Sequence, residues 1–204
     1  MEEVKRCIYV DMTNLYGGIS EIFEDGVYID FATLMPIIDQ RFGGINKFKV
    51  YGSFRGINES TKLGNVDGIK GQNEFMNSAK KLSGVHFGKG YVRNGQEKTV
   101  DMQLGIDMVN DAHNGDFTDF ILFAGDADYS YPVSIIKGMG KYFHYCAFAT
   151  RYSAFFAFQA RKKLILDYNG IFFKQNQLPS VPKQDVEIID IYKESSVKNK
   201  SIKV

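Results

Sequence analysis

FILFAGDADYSYPVSIIKGMGKYFHYCAF, residues 120–148, carries a strand, an acidic turn, a helix and a second strand in direct succession. Phe120–Ala124 is an unbroken apolar run, the pattern of a strand buried on both faces. Gly125-Asp126-Ala127-Asp128 ends it. Tyr131–Met139 is amphipathic, and Tyr142–Phe148 is a second apolar run of strand length. Two buried strands joined by a helix require a crossover, which in parallel sheets is right-handed.

The same alternation extends in both directions. Lys5–Val10 (KRCIYV) reads as a strand that ends in Asp11, and MTNLYGG, with Gly17 and Gly18, reads as a turn. Asp30 caps an expected helix to Phe42, with Pro36 starting or kinking it. Phe48–Phe54 is a second strand, 55–72 a polar glycine-rich loop, Asn73–Leu82 a helix and Val85–Val92 a strand. Asp101–His113 is the clearest helix. Met102, Leu104, Ile106, Met108, Val109 and Ala112 cover one arc, while Gln103, Asp107, Asn110 and Asp111 fill the other. Ser153–Lys163 reads as a helix and Leu164–Leu166 as a last short strand. The expected fold is α/β: a three-layer α/β/α sandwich with a mostly parallel central sheet. One domain is expected over residues 1–175, followed by a polar, lysine-rich tail over 176–204 that is solvated.

The whole chain narrows the function classes. Its 204 residues are 44% hydrophobic and 24% charged, as in an ordinary globular protein, and the net charge is +1. Nucleic-acid binding therefore has to rest on a local basic patch. Cys7 and Cys146 both lie in apolar runs and read as buried, reduced thiols. The first residues, MEEVKRCIYVDM, carry acids where a signal peptide carries positive charge, and no segment has the length of a membrane span. A cytoplasmic protein is expected.

Chemistry concentrates in the aspartates. In a doubly wound sheet, ligands bind outside the carboxyl ends of the strands. Asp11 and Asp126 end two of the clearest strands, Asp128 follows at a helix start, and Asp101 opens the central helix. Carboxylates gathered at one edge raise each other's pKa unless a cation lies between them. Mg²⁺ or Mn²⁺ suits such an all-oxygen set. No Cys/His spacing for zinc is present, and His86, His113 and His144 are scattered. A cap accounts equally for Asp101 or Asp128, and a turn for an aspartate after a strand. Asp107 lies about 240° around the helix from Asp101, so solvent exposure is its simplest reading.

Four segments together resemble a known family. IYVDMTNLYGG resembles the opening motif of NYN domains, and EKTVDMQLGIDMVNDA their central helix. ILFAGDADYSYPVSIIKGMGKYFHYCAF resembles their Gly-Asp-x-Asp segment, and SAFFAFQARKKLILD the closing helix and strand of the DUF88/LabA-like branch. The resemblance spans nearly all of residues 5–168. It implies a PIN-like fold and Mg²⁺- or Mn²⁺-dependent ribonuclease chemistry. The family's acidic positions fall on Asp11, Asp101, Asp126 and Asp128, and its asparagine on Asn14, which could orient a water or an RNA phosphate. The resemblance also promotes Asp107. Arg161 stands where this branch often has an acid.

These implications make RNA the expected partner, cleaved by a water activated among Asp11, Asp101, Asp126 and Asp128. Arg55, Lys62 and Lys70 on the long loop, and Lys89, Arg93 and Lys98 before the central helix, are candidate phosphate guides. Tyr16 or Tyr129 could stack a base. Two other readings compete. Haloacid-dehalogenase phosphatases need a second acid two residues after the first strand's aspartate, and Thr13 stands there. A non-catalytic RNA-binding or protein-interaction module could keep the acidic pocket. The aromatic segment Tyr152–Phe158 suits either a core or a homodimer interface.

Overall fold

The computed structural model describes residues 3–22, 27–56, 66–93, 96–148, 151–166, 172–174 and 188–189. Strand β1 (Arg6–Asp11) lies inside the main sheet. It pairs in parallel with β3 (Lys47–Gly52), Asp11 opposite Tyr51, and with β7 (Asp119–Phe123), Val10 opposite Phe123. Strand β4 (Val85–Lys89) continues the sheet beyond β3, and β8 (Tyr142–Phe148) and β9 (Lys162–Leu166) continue it beyond β7, all parallel. The short β11 (Ile188–Ile189) adds antiparallel to β9. Two small ribbons complete the strands: β2 (Val27–Ile29) with β10 (Phe172–Lys174), and β5 (Tyr91–Arg93) with β6 (Gln96–Lys98).

The period of two along each strand sends alternate side chains to two separate cores. Ile8 and Val10 of β1, with Ile121 and Phe123 of β7, face helices α1 (Met12–Ile22), α2 (Phe31–Phe42) and α3 (Val66–Lys80), represented by Leu15, Leu34 and Phe75. Cys7 and Tyr9, with Phe120 and Leu122, face α4 (Val100–Asn114), α5 (Ser130–Gly138) and α6 (Ala154–Gln159), represented by Leu104, Val133 and Phe156. The result is the expected three-layer α/β/α sandwich around a mostly parallel sheet. Cys7 and Cys146 are buried and free. Among the described residues, no helix is long and apolar enough to cross a membrane.

Several local expectations are corrected. MTNLYGG is the start of α1 rather than a turn. Asp11 explains this: its Oδ1 accepts the Asn14 backbone N–H at 2.8 Å, an N-terminal cap that lets the helix begin directly at the strand end. Helix α3 begins at Val66, inside the segment read as loop. The run 85–92 divides at Gly90 into β4 and β5, because β5 turns away to pair with β6. The helix expected over Ser153–Lys163 spans only Ala154–Gln159, and its last residues belong to β9. Asp30 does cap α2, its carboxylate accepting the Ala32 N–H at 2.9 Å, and Pro36 lies inside that helix.

The strand order β9-β8-β7-β1-β3-β4 reverses direction between β1 and β7. The chain moves one way from β1 to β3 and β4, and the other way from β7 to β8 and β9. A crevice opens at the carboxyl end of such a switch point. Asp11 and the loop Gly125–Asp128 lie there.

Candidate functional site

Asp11, the last residue of β1, is 2% exposed. Its Oδ1 caps α1 and its Oδ2 accepts the Tyr129 hydroxyl at 2.8 Å. The same hydroxyl lies 3.0 Å from Asp101 Oδ1. Tyr129 is itself buried, at the end of a 3₁₀ turn, Ala127–Tyr129, that follows β7. Two carboxylates separated by most of the sheet's sequence thus meet on one phenol oxygen. A hydroxyl has a single proton, so it cannot satisfy both carboxylates at once.

Electrostatics follow from that crowding. Burial pushes the Asp11 carboxyl up to about 7; the Asn14 amide and Tyr129 hydroxyl oppose the shift, and the Asp101 and Glu97 charges add to it. Burial and the two aspartates also hold the Tyr129 phenol far above its ordinary value, so it remains a donor.

Glu97 is the acid that sequence reasoning missed. It sits in β6, half-buried, and its Oε1 accepts the Thr13 hydroxyl at 2.8 Å. Burial raises its pKa and Asp101 adds to the rise, while Thr13 and the Arg55 guanidinium oppose it. Thr13, the residue that argued against a phosphatase, therefore orients a carboxylate supplied from 84 positions away. The available signal was Asn94-Gly95 between Tyr91–Arg93 and Gln96–Lys98, a hairpin cue that places Glu97 in a strand beside the central helix. Between Glu97 and Asp101 the backbone is strained: Thr99, β-branched, has φ of 75°.

Asn14 has a different part from the one expected. Its side-chain oxygen accepts the Gly125 N–H at 2.9 Å, fastening the loop after β7 to the start of α1. A carbonyl so engaged is a brace, which places Asp126 one residue from the tether. Arg151 closes the same corner: its guanidinium reaches the Asn14 carbonyl at 3.5 Å, and its own carbonyl lies where a Cβ on Gly125 would fall. Gly125 is thus required by close approach. Asp126 is half-buried and caps the 3₁₀ turn through the Asp128 N–H at 3.1 Å, and Asp128 is exposed.

The candidate acids therefore divide. Asp11 and Asp101 meet at Tyr129, with Glu97 beside them, while Asp126 and Asp128 stand at the rim. Among the described residues, no group of three or more His, Cys, Asp or Glu side chains is arranged to hold an ion. The chemistry of the donors still fits a hard divalent cation: oxygen atoms only, mutual repulsion, and a carboxyl raised chiefly by its burial.

Asp107 does not join them. Its Oδ2 accepts the Tyr51 hydroxyl at 2.6 Å and it is half-buried, so the expected solvent exposure is incorrect. Asp111, placed on the same polar arc, is buried under the Tyr9 hydroxyl and Lys49, whose Nζ lies 2.6 Å from Oδ2. Each of these three α4 aspartates thus takes one tyrosine hydroxyl: Asp101 from Tyr129, Asp107 from Tyr51, Asp111 from Tyr9. The helical wheel put Asp107 and Asp111 on a polar arc because it contains no sheet.

The remaining candidates are also placed. Tyr129 and Tyr16 are buried, with Tyr16 donating to the Gly68 carbonyl, so neither can stack a base as expected. Arg93 and Lys98 are exposed on the β5–β6 hairpin, and Lys70 and Lys89 are exposed too. Arg55 lies in the loop after β3, as expected, but is half-buried near Glu97. Lys62 lies outside the described residues. His144 is buried at the other end of the sheet, 2.7 Å from Asp119, and His86 and His113 are exposed.

The family model of the NYN domain matches residues 5–163. This chain belongs to the NYN family. The NYN domain here covers every acid just described and places the chain in the PIN-like nuclease superfamily. No curated protein matches it. A solved structure from Vibrio parahaemolyticus, described as a protein of unknown function, is similar at 19% identity and a TM-score of 0.56, covering 81% of this chain and 96% of that one. At that identity the likeness is one of fold.

Proposed function

We propose that this NYN domain is a ribonuclease that hydrolyses RNA phosphodiester bonds with the help of Mg²⁺ or Mn²⁺. The observation that carries the reading is the Tyr129 hydroxyl, on which Asp11 and Asp101 converge at the switch point of the sheet. Asp11, Asp101, Asp126 and Asp128 would hold the ion, which supplies Lewis-acid polarisation of the phosphate and a more acidic attacking water. Tyr129 holds Asp11 and Asp101 in mutual register. Asn14 keeps the Asp126 loop against β1, and Thr13 orients Glu97, which can accept a proton from an approaching water. Arg93 and Lys98, exposed on the hairpin next to Glu97, guide the phosphate backbone. No other basic patch is needed, which agrees with a net charge of only +1.

Labelled single-stranded RNA incubated with Mn²⁺, Mg²⁺ or EDTA tests the proposal. Wild type should cut with either ion and not in EDTA, and Asp11→Asn and Asp126→Asn should not cut. RNA that is bound tightly but left intact under every ion would make the protein a binding module instead.

A further inference from the structure

A groove of about 510 Å³ runs between α4 and α5, and Asp101 and Asp128 are among the residues that line it. Its walls carry Met102, 67% exposed, Ile106, 51% exposed, and Tyr131, 73% exposed, with Asn110 further along α4. Large apolar side chains left this open on adjacent helices need an occupant. Among the described residues no Lys or Arg lines the groove, and two carboxylates belong to its lining. A phosphate therefore has no reason to enter it. A neutral, flat, mostly apolar group does, and Asn110 offers both a donor and an acceptor to that group's polar edge.

We infer that this groove is a nucleobase subsite: the base next to the reacting phosphate leaves the strand, lies against Tyr131 and Ile106, and meets Asn110 at its edge. The inference rests on the ribonuclease reading for the identity of the strand. It follows from continuity, because Asp101 and Asp128 belong both to the acidic site and to the groove. A phosphate held at those acids has its neighbouring base within reach of the opening. The subsite explains why base recognition need not fall to the buried Tyr129, and it predicts preference for unpaired RNA, since a base in a duplex cannot enter.

Equilibrium binding of a labelled single-stranded oligoribonucleotide, against the same strand carrying abasic riboses, tests the subsite without any need for cleavage. The measurement is made in Ca²⁺ and again in EDTA. Wild type should prefer the base-bearing strand by roughly tenfold or more. Tyr131→Ala and Ile106→Asp, both at exposed helix positions, should bring that ratio close to one while leaving the salt dependence of binding unchanged. Asn110→Ala should narrow the difference between purine and pyrimidine strands. A ratio of one in the wild type, or a ratio that survives both variants, overturns the subsite. So does sedimentation showing that wild type forms a dimer which Ile106→Asp dissolves, because the groove is then filled by a second copy. The two proposals separate cleanly. Base-dependent binding without cleavage sinks the nuclease and keeps the subsite, and cleavage with an unchanged ratio in the variants does the reverse.

Discussion

Asn14 and Gly125, 111 positions apart, are joined by a 2.9 Å hydrogen bond from the glycine N–H to the asparagine side-chain oxygen. Through it the end of β1 is fastened to the loop after β7, and Asp11 to the neighbourhood of Asp126. The bond is part-buried, so its loss leaves an N–H without a partner.

Replacing Asn14 with alanine should therefore cost about 1–2 kcal/mol of stability. If the residue acts as a brace, RNA cleavage by the alanine variant should fall further than its stability loss requires, because Asp126 loses its anchor. Thermal melts and single-turnover cleavage on the same samples give both numbers. Equal activity in wild type and Asn14→Ala would show that the tether has no part in the site.

Tyr129→Phe removes one oxygen and keeps the buried ring. The donor shared by Asp11 and Asp101 is then gone, so the fold should survive while the two carboxylates lose their common partner. Residues that orient metal-holding carboxylates typically change affinity or activity by about 10–100-fold when altered. Cleavage by Tyr129→Phe should drop within that range, and the Mn²⁺ concentration needed for half-maximal rate should change with it. A variant with wild-type cleavage and wild-type Mn²⁺ dependence would remove Tyr129 from the site.

Stability of the metal-free protein should depend on pH in an unusual direction. The Asp11 carboxyl is raised from 3.8 to about 7 by burial. A group whose pKa rises on folding contributes its full stability below the unfolded value, and loses it as pH climbs through the folded value. From pH 4 to above 7 the loss from this group is on the order of 4 kcal/mol. Urea melts in EDTA should show stability falling over that window, and Asp11→Asn should flatten the curve. Mg²⁺ added at pH 8 should restore part of the loss in proportion to its occupancy. A wild-type curve as flat as that of Asp11→Asn would mean that Asp11 is ordinary.

Much of this was legible from the chain. FILFA and YFHYCAF are read as buried strands because β7 and β8 have neighbours on both sides and helices on both faces. Asp11 and Asp101 stand out because strand ends and helix starts share one edge in this class of sheet. What was hidden is what depends on long-range contact. Gly17 and Gly18 suggest a turn, and only the cap from Asp11 and the Arg151 guanidinium against Gly17 show why a helix with glycine forms there. Glu97 lies in a three-residue strand with no periodicity, and its partner Thr13 belongs to a different layer. Asp107 and Asp111 look like surface acids until the hydroxyls of Tyr51 and Tyr9 arrive from the sheet.

That last contrast yields a prediction that separates the acids of α4 by role. Asp111 accepts from Tyr9 and pairs with Lys49 with little exposure, so Asp111→Ala strands a largely covered cation and a buried hydroxyl. Its cost should be about 3–5 kcal/mol. Asp107→Asn keeps an oxygen for Tyr51 and should cost less than about 1 kcal/mol. In both, the protein that remains folded should cleave RNA at close to the wild-type rate per folded molecule. Asp101→Asn should show the opposite pattern, with melting preserved, since one repelling charge is gone, and cleavage reduced on the order of a hundredfold. The assignment of Asp107 to structure rather than chemistry depends on this pattern. Cleavage lost in Asp107→Asn with the melt unchanged would return that residue to the site, and would mean that the Tyr51 bond opens when RNA binds.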